Sequence, residues 1–322
     1  MSSSDSKAID SLSLIIPVYN SEQTIGALMD ELASLLAPHF KSLEAVLVND
    51  GSTDGSHHEI LAAQKRHPGI IKYISLSRNF GEHNAVMCAL NYAKGDCIAI
   101  LDDDFQNPPS EIMLLVKTLR EGYDVVYSYY SGKQHSWLRN LESKINDLFA
   151  TWLLKKPAGL YLSSFKVLNR FLAQAVIEYQ GPYPYLDGII LRSTSKIGRC
   201  LCQHSKREKG KSNYTFTRLL RLWMNMFTGF SIVPLRMATL IGISMSLVSL
   251  LMAIYFITAH FTGPLIIKQT VPPGWASTIV CITFFAGLQL CVLGIIGEYL
   301  GRLFLTANQL PQYIIRETNG ID

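Results

Sequence analysis

The first 130 residues alternate short apolar runs with stretches of helical periodicity. Leu12–Val18 (LSLIIPV), Ala45–Val48 (AVLV), Ile70–Leu76 (IIKYISL) and Cys97–Leu101 (CIAIL) are predominantly apolar runs rich in β-formers, which predicts buried strands. The intervening stretches Glu22–Leu36, Ser56–Arg66 and Glu82–Tyr92 carry helical patterns. Pro108-Pro109 opens a further helix, Ser110–Arg120, and Tyr123–Ser128 resumes strand character. Buried strands separated by helices predict an α/β fold with a mostly parallel sheet of βαβ units. Ligands of such sheets bind beyond the C-terminal ends of the strands. The polar segments Tyr19-Asn20, Asn49-Asp50, Arg78-Asn79 and Asp102–Asp104 fall at those ends, so four separate segments are expected to meet in one cleft.

The pattern changes in the middle of the chain. Ser136–Lys155 places Trp137, Leu141, Ile145, Leu148 and Trp152 at helical spacing, and Thr215–Phe230 does the same with Leu219, Leu222, Trp223, Met226 and Phe227. Core packing accounts for such stripes, and so does a helix lying in a membrane interface. Two uncharged stretches follow, Met237–Ile267 and Gln269–Gly297. Each exceeds the roughly 20 apolar residues that a bilayer-spanning helix needs. The expected domains are a catalytic domain over 1–230, a two-helix transmembrane domain over 231–305 and a C-terminal tail over 306–322.

Composition agrees: 48% of the 322 residues are hydrophobic and 17% charged, an apolar balance for a soluble enzyme. Ten Lys/Arg against the single carboxylate Glu208 lie between Arg192 and Arg236, whereas the connector around Gly263–Gly274 holds only Lys268. By the positive-inside rule the catalytic domain and both termini are then cytoplasmic. Met1–Asp10 is polar and lacks the apolar core of a signal peptide. The six cysteines include Cys200-Leu201-Cys202 near His204, whose spacing does not match common zinc patterns, so reduced structural thiols are expected.

The chemistry concentrates in Asp102-Asp103-Asp104-Phe105-Gln106-Asn107-Pro108-Pro109. Three carboxylates at a strand end repel one another unless a cation neutralises them. In extended backbone Asp102 and Asp104 share a face and Asp103 points away. That spacing suits a site for a hard divalent ion and a substrate diphosphate. For this segment alone a solvated acidic turn accounts for the pattern equally well. Asn49-Asp50-Gly51-Ser52 is by itself a generic turn in which Asp50 can accept a base N–H and Gly51 allows tight backbone.

Taken together, Pro17-Val18-Tyr19-Asn20, Asn49-Asp50-Gly51-Ser52, Arg78-Asn79-Phe80-Gly81 and the Asp102–Pro109 segment resemble the motif series of glycosyltransferase family 2. Arg207-Glu208-Lys209-Gly210-Lys211-Ser212-Asn213-Tyr214 and Gly297-Glu298-Tyr299-Leu300-Gly301-Arg302 resemble segments of its polyprenyl-phosphate branch. The resemblance implies a GT-A fold and transfer of a sugar, with inversion, from a nucleotide-sugar to a polyprenyl phosphate. UDP is the preferred nucleotide and undecaprenyl phosphate the acceptor. It implies that Pro17, Tyr19, Asn20, Asp50, Arg78 and Asp102 hold the nucleotide, and that Asp102, Asp104 and Gln106 ligate Mg²⁺ or Mn²⁺. Arg207, Ser212, Tyr214 and Lys166 are implied at the acceptor phosphate, with Asp104, Arg207 and Lys166 closest to the chemistry. Further expectations are a bacterial inner-membrane location, a homo-oligomer such as a tetramer, and no nucleic-acid partner.

The chain departs from that pattern in Pro157–Lys166. No carboxylate appears there, Lys166 stands where arginine is usual, and Asp187 is an alternative carboxylate or a simple helix cap. A degenerate transferase serving as a membrane scaffold is one alternative reading. The other, a processive polysaccharide synthase, would carry more spans and a Q-x-x-R-W motif, which this sequence lacks.

Overall fold

The computed structural model describes residues 9–130, 156–157, 159–181, 183–203, 233–262, 275–308 and 310–321. The chain divides into two units, Met1–Arg218 together with Gln309–Asp322, and Leu219–Asn308.

In the first unit, β1 (Ser11–Val18), β2 (Ser42–Asn49), β3 (Ile71–Leu76) and β4 (Cys97–Ile100) alternate with α1 (Ile25–Leu36), α2 (Ser56–Arg66) and α3 (Glu82–Tyr92). Then come α4 (Glu111–Leu119), β5 (Val125–Tyr130), β6 (Lys166–Asn169), α5 (Arg170–Ile177), α6 (Leu186–Ser193), β7 (Ile197–Cys202) and, near the C-terminus, β8 (Ile315–Asn319). The eight strands form one sheet in the order β7-β5-β6-β4-β1-β2-β3-β8.

The central strands β4, β1, β2 and β3 are parallel, as the βαβ pattern requires. β1 lies in the middle with Leu12, Leu14, Ile15, Ile16 and Val18 fully buried, which is why its sequence is apolar but for Ser11 and Ser13. The helices close over it, α1 contributing Leu28, Met29, Leu32 and Leu36 and α4 contributing Ile112, Leu115 and Leu119 to one core.

The sheet is mixed at its flanks. β6 runs antiparallel to both β4 and β5, and β8 antiparallel to β3. Because β6 reverses direction, β5 again points the same way as β4, and β7 is parallel to β5. The C-terminal residues set apart as a tail thus supply an edge strand of the eight-stranded sheet. Ser77 N donates to the Ile314 carbonyl at 2.8 Å, and Gln312 Nε2 donates to the carbonyls of Tyr179 and Gly181.

The second unit contains two long helices, α7 (Val233–Thr262) and α8 (Trp275–Ala307). Within α8 the segment Phe284–Ala307 is long and apolar enough to cross a membrane; α7 holds a shorter apolar stretch, Leu235–Met245, among its described residues. α8 continues past the uncharged stretch that ends at Gly297, through Glu298 and Arg302. Ile282, Phe284, Leu290, Leu293, Leu300, Leu303 and Phe304 are exposed along it, an apolar surface with no protein cover in the single chain. The expected interface helices at 136–155 and 215–230 lie outside the described residues. All six cysteines are free, and Cys88, Cys97, Cys200 and Cys202 are buried.

Candidate active site

The four polar segments meet at the C-terminal ends of β1, β2, β3 and β4, and their loops are stitched edge to edge. Asn20 N donates to Ser52 Oγ at 3.0 Å, and Asn20 Oδ1 accepts from Thr53 N at 2.9 Å. Ser21 N donates to Ser56 Oγ at 2.8 Å, and Gly55 N donates to Glu22 Oε2 at 2.8 Å. These bonds tie the loop after β1 to the loop after β2. Asn20 sits at φ 56°, a left-handed conformation that a short polar side chain tolerates through such local bonding.

Asp50 ties the second loop to the third. Its Oδ1 accepts from Phe80 N at 2.6 Å and its Oδ2 from Gly81 N at 2.8 Å. Burial raises its pKa, opposed by those two amides. Each oxygen keeps a second lone pair, so the base contact implied by the resemblance stays open alongside this scaffolding duty. Asn49 braces the same turn, its Oδ1 accepting from Ser52 N and its Nδ2 donating to the Tyr73 hydroxyl. Gly51 has φ +68°, and a Cβ there would lie 2.6 Å from the Arg78 carbonyl carbon and from Asn79 N. Only glycine lets these backbones come so close. Arg78 is exposed with its guanidinium 4.8 Å from the centre of the Phe80 ring. Tyr19 is exposed, and Pro17 is the penultimate residue of β1, paired with Val48.

The loop after β4 carries the carboxylates, and Asp102 and Asp103 diverge. Asp103 turns back toward β1, accepting from Ser21 Oγ and from Tyr19 N at 3.4 Å. Asp102 turns the other way and accepts from Ser164 Oγ at 2.5 Å. Asp104 Oδ1 accepts from Gln106 N at 3.1 Å, closing a tight turn in which Phe105 takes φ 59°. A positive φ at a phenylalanine is rare and costs about 1–3 kcal/mol, so the loop is held in a strained form by its surroundings.

The electrostatics follow from crowding. Burial, then the neighbouring Glu82, pushes Asp102 up to about 7, and burial pushes Asp103 up to about 6. Glu82 begins α3 and is also raised, first by desolvation, with the Asp187, Asp103 and Asp104 charges adding to it and Lys166 opposing. Such a cluster is eased by protons or by a cation. Hard carboxylate oxygens on Asp102 and Asp104 are donors of the kind that Mg²⁺ or Mn²⁺ takes, with substrate oxygens completing the shell. Among the described residues no group of three or more His, Cys, Asp or Glu side chains forms a closed metal site.

A pH dependence follows. Asp102 titrates in the folded protein near 7 and normally at 3.8. Between these values the folded chain holds a proton that the unfolded chain has released, so stability falls as pH rises through that window. The thermal midpoint in EDTA is expected to drop by several degrees from pH 5 to pH 8 in the parent and by less in Asp102→Asn. Parallel pH profiles for the two proteins would contradict the assignment.

Lys166 lies in β6, 2% exposed, and its Nζ donates to Asp187 Oδ1. The same oxygen accepts from the Tyr127 hydroxyl at 2.9 Å. The lysine's charge is therefore engaged by an internal carboxylate, and Asp187, in the first turn of α6, serves as that partner. Sequence reasoning anticipated neither this pairing nor the contributions of Ser21, Ser164 and Glu82; their positions follow only from strand order. Arg207, Ser212 and Tyr214 lie outside the described residues.

Comparison with known proteins agrees with this architecture. Residues 13–177 match the model of glycosyl transferase family 2. Undecaprenyl-phosphate 4-deoxy-4-formamido-L-arabinose transferase of Serratia proteamaculans (strain 568) is 31% identical over 316 residues, 97% of this chain and 95% of that protein. The crystal structure of glucosyl-3-phosphoglycerate synthase from Mycobacterium tuberculosis in complex with UDP aligns with a TM-score of 0.51 at 19% identity. That alignment covers 69% of this chain and 80% of that one. Another crystal structure of that synthase, with Mn²⁺, UDP and glucosyl-3-phosphoglycerate, aligns at a TM-score of 0.49 and 20% identity, covering 69% and 77%. By family model and by near end-to-end similarity, the chain belongs to glycosyl transferase family 2 and is a glycosyltransferase with a GT-A-like mixed sheet.

Proposed function

We propose that this glycosyltransferase moves a sugar from a nucleotide-sugar, preferably UDP-linked, to the phosphate of a polyprenyl lipid such as undecaprenyl phosphate. The observation that carries the reading is the 31% identity over nearly the full length of both chains with an undecaprenyl-phosphate sugar transferase. Apolar α8 supports a membrane-borne acceptor. In this reading Pro17, Tyr19, Asn20, Asp50 and Arg78 bound the nucleotide pocket, and Asp102, Asp104 and Gln106 hold Mg²⁺ or Mn²⁺ against the donor diphosphate. The ion supplies positive charge to the departing diphosphate.

The acceptor phosphate oxygen forms a bond to the anomeric carbon as the bond from that carbon to the diphosphate oxygen breaks, and the nucleoside diphosphate leaves with the electron pair. Attack opposite the leaving group inverts the anomeric centre. The acceptor oxygen is already anionic, so no strong base is required, consistent with Pro157–Lys166 lacking a carboxylate. Arg207, Ser212 and Tyr214 are suited to phosphate by their donor groups. Their part, and any free role for Lys166 at the acceptor, belong to this proposal.

The enzyme is further read as a bacterial inner-membrane protein with two spans, its catalytic unit and both termini cytoplasmic, and as a homo-oligomer. Return of the chain to the catalytic sheet as β8 after α8 supports an even number of crossings. A thermal-shift screen of nucleotide-sugars with Mg²⁺ or Mn²⁺, followed by mass spectrometry of lipid products, tests the reaction. One glycosyl-phospholipid of polyprenyl mass is expected. A ladder of polymers, or metal-independent behaviour with no product, would overturn the reading.

A further inference from the structure

On the β5–β7 side of the carboxylate loop, the first unit contains a cavity of about 170 Å³ lined by Tyr129, Tyr130, Gly159, Tyr161 and Arg199. A dry cavity of about 150 Å³ admits benzene, so this one has room for a small chemical group and not merely a water. Its walls are built. Lys156 Nζ donates to the Leu160 carbonyl at 2.5 Å, and Leu160 N donates to the Pro157 carbonyl at 3.2 Å, fixing the turn that carries Gly159 and Tyr161. Gly159 has φ +73°, and a Cβ there would approach Arg199 Nη1 to 3.8 Å. The rings of Tyr130 and Tyr161 meet edge to face at 6.1 Å.

Arg199 stands on the open face of β7, between buried Gly198 and Cys200, with no hydrogen-bond or ion-pair partner among the described residues. Tyr129, in register with Leu201 on the neighbouring strand, is likewise unbonded through its hydroxyl. A free guanidinium beside phenolic hydroxyls in a partly enclosed pocket is a receptor for an oxyanion, and phosphate suits its fork of donors best.

Strand order says which phosphate. Asp50 ends β2, and the carboxylates Asp102 and Asp104 follow β4. The cavity lies at β5 and β7, across the sheet from Asp50 with the carboxylates between. The Tyr130 hydroxyl donates to Asn107 Oδ1 at 2.5 Å, which ties the cavity wall to the carboxylate loop itself. In a displacement where the nucleotide lies on the Asp50 side, the attacking group enters from the other. Resting on the proposed reaction, we propose that this cavity is part of the subsite for the acceptor's phosphate head, with Arg199 as a cation additional to the acceptor residues named above and the Tyr129 hydroxyl as a further donor.

The test uses the full chain in lipid nanodiscs and measures binding of farnesyl phosphate, farnesol and UDP with Mg²⁺ by calorimetry. The parent is expected to bind farnesyl phosphate better than farnesol. Arg199→Ala is expected to weaken farnesyl phosphate on the order of tenfold, as loss of a charge-assisted bond does. Tyr129→Phe is expected to weaken it less, and Arg199→Lys to recover part. UDP affinity and the thermal midpoint stay at parental values. Unchanged farnesyl phosphate affinity in Arg199→Ala overturns the proposal; a fall in UDP affinity instead assigns the cavity to the donor and overturns it equally. If the parent binds farnesyl phosphate through Arg199 yet transfers no sugar to polyprenyl phosphate with any donor, the subsite stands and the proposed reaction fails.

Discussion

Asp104→Ala is expected to lower sugar transfer on the order of a thousandfold while leaving the protein folded. Asp104 is half-buried in the loop after β4, where its Oδ1 accepts from the amide of Gln106 within the same turn. Losing one such bond costs about 1 kcal/mol of stability. Its catalytic loss is larger, because the carboxylate would hold the positive charge placed against the departing diphosphate. Removal of one preorganised group of that kind costs about 100- to 1000-fold in turnover. Initial rates with saturating nucleotide-sugar, lipid phosphate and Mg²⁺ or Mn²⁺ measure the effect, alongside the thermal midpoint. Turnover close to parental with an intact fold would remove Asp104 from the site. Asp103→Ala is the informative companion: Asp103 faces Ser21 and the Tyr19 amide, so its loss should loosen the loop after β1 with a smaller effect on turnover.

The second large effect is expected on stability. Lys166→Met leaves Asp187 buried with its cation gone. The Lys166 and Asp187 side chains are 3% and 10% exposed. Breaking a buried pair from one side costs about 3–5 kcal/mol, because the remaining charge has no water to turn to. The Lys166→Met/Asp187→Asn double variant should regain most of that loss, since asparagine keeps an acceptor for the Tyr127 hydroxyl and carries no charge. Denaturant melts of the three proteins measure both values. A Lys166→Met protein as stable as the parent would mean that the pair contributes nothing. The double variant also separates two roles: if it folds well yet its KM for the lipid phosphate rises steeply, the lysine acts on substrate as well as on Asp187.

The central half of the sheet was legible because its strands are largely buried on both faces and therefore written as mostly apolar runs, broken only by isolated residues such as Ser13, Glu44 and Lys72. The expected bounds of α2 and α3 coincide with those observed, and β1 to β4 differ only at their ends. On the flanks, β5 was expected over Tyr123–Ser128 and lies at Val125–Tyr130, whereas β6, β7 and β8 were not legible, for reasons specific to each strand. β6 is four residues long and contains a lysine, whose burial depends on a carboxylate twenty-one positions away in sequence. β7 alternates buried and exposed residues around a cysteine pair that looked like a possible metal motif. β8 reads Ile-Arg-Glu-Thr-Asn, an edge segment held by backbone pairing and by Arg316 and Gln64 contacts rather than by apolar burial.

The same contrast holds at the site. Alternation predicted that Asp103 points away from Asp102 and Asp104; the structure directs Asp103 to β1 and Asp102 to Ser164 in a bent loop. That Asp50 would spend both oxygens on the Phe80 and Gly81 amides could not be read from Asn49-Asp50-Gly51-Ser52. Such a bond joins residues thirty positions apart, and only the parallel register of β2 on β3 brings them together. The raised Asp102 likewise depends on Glu82, a helix-opening residue that composition gives no reason to place beside it.

The edge strand β8 has a consequence for the order in which the protein is made. A ribosome releases β1 to β7 first, then α7 and α8, and only afterwards the residues that pair with β3. Until Ile315–Asn319 emerge, β3 presents an unpaired backbone edge, the feature through which nascent sheets join one another. Completion of the catalytic sheet is therefore tied to completion of the apolar helices. A polypeptide whose synthesis stops within α8 carries every carboxylate of the candidate site and still has an open sheet, a state that quality-control proteases can distinguish from the finished enzyme.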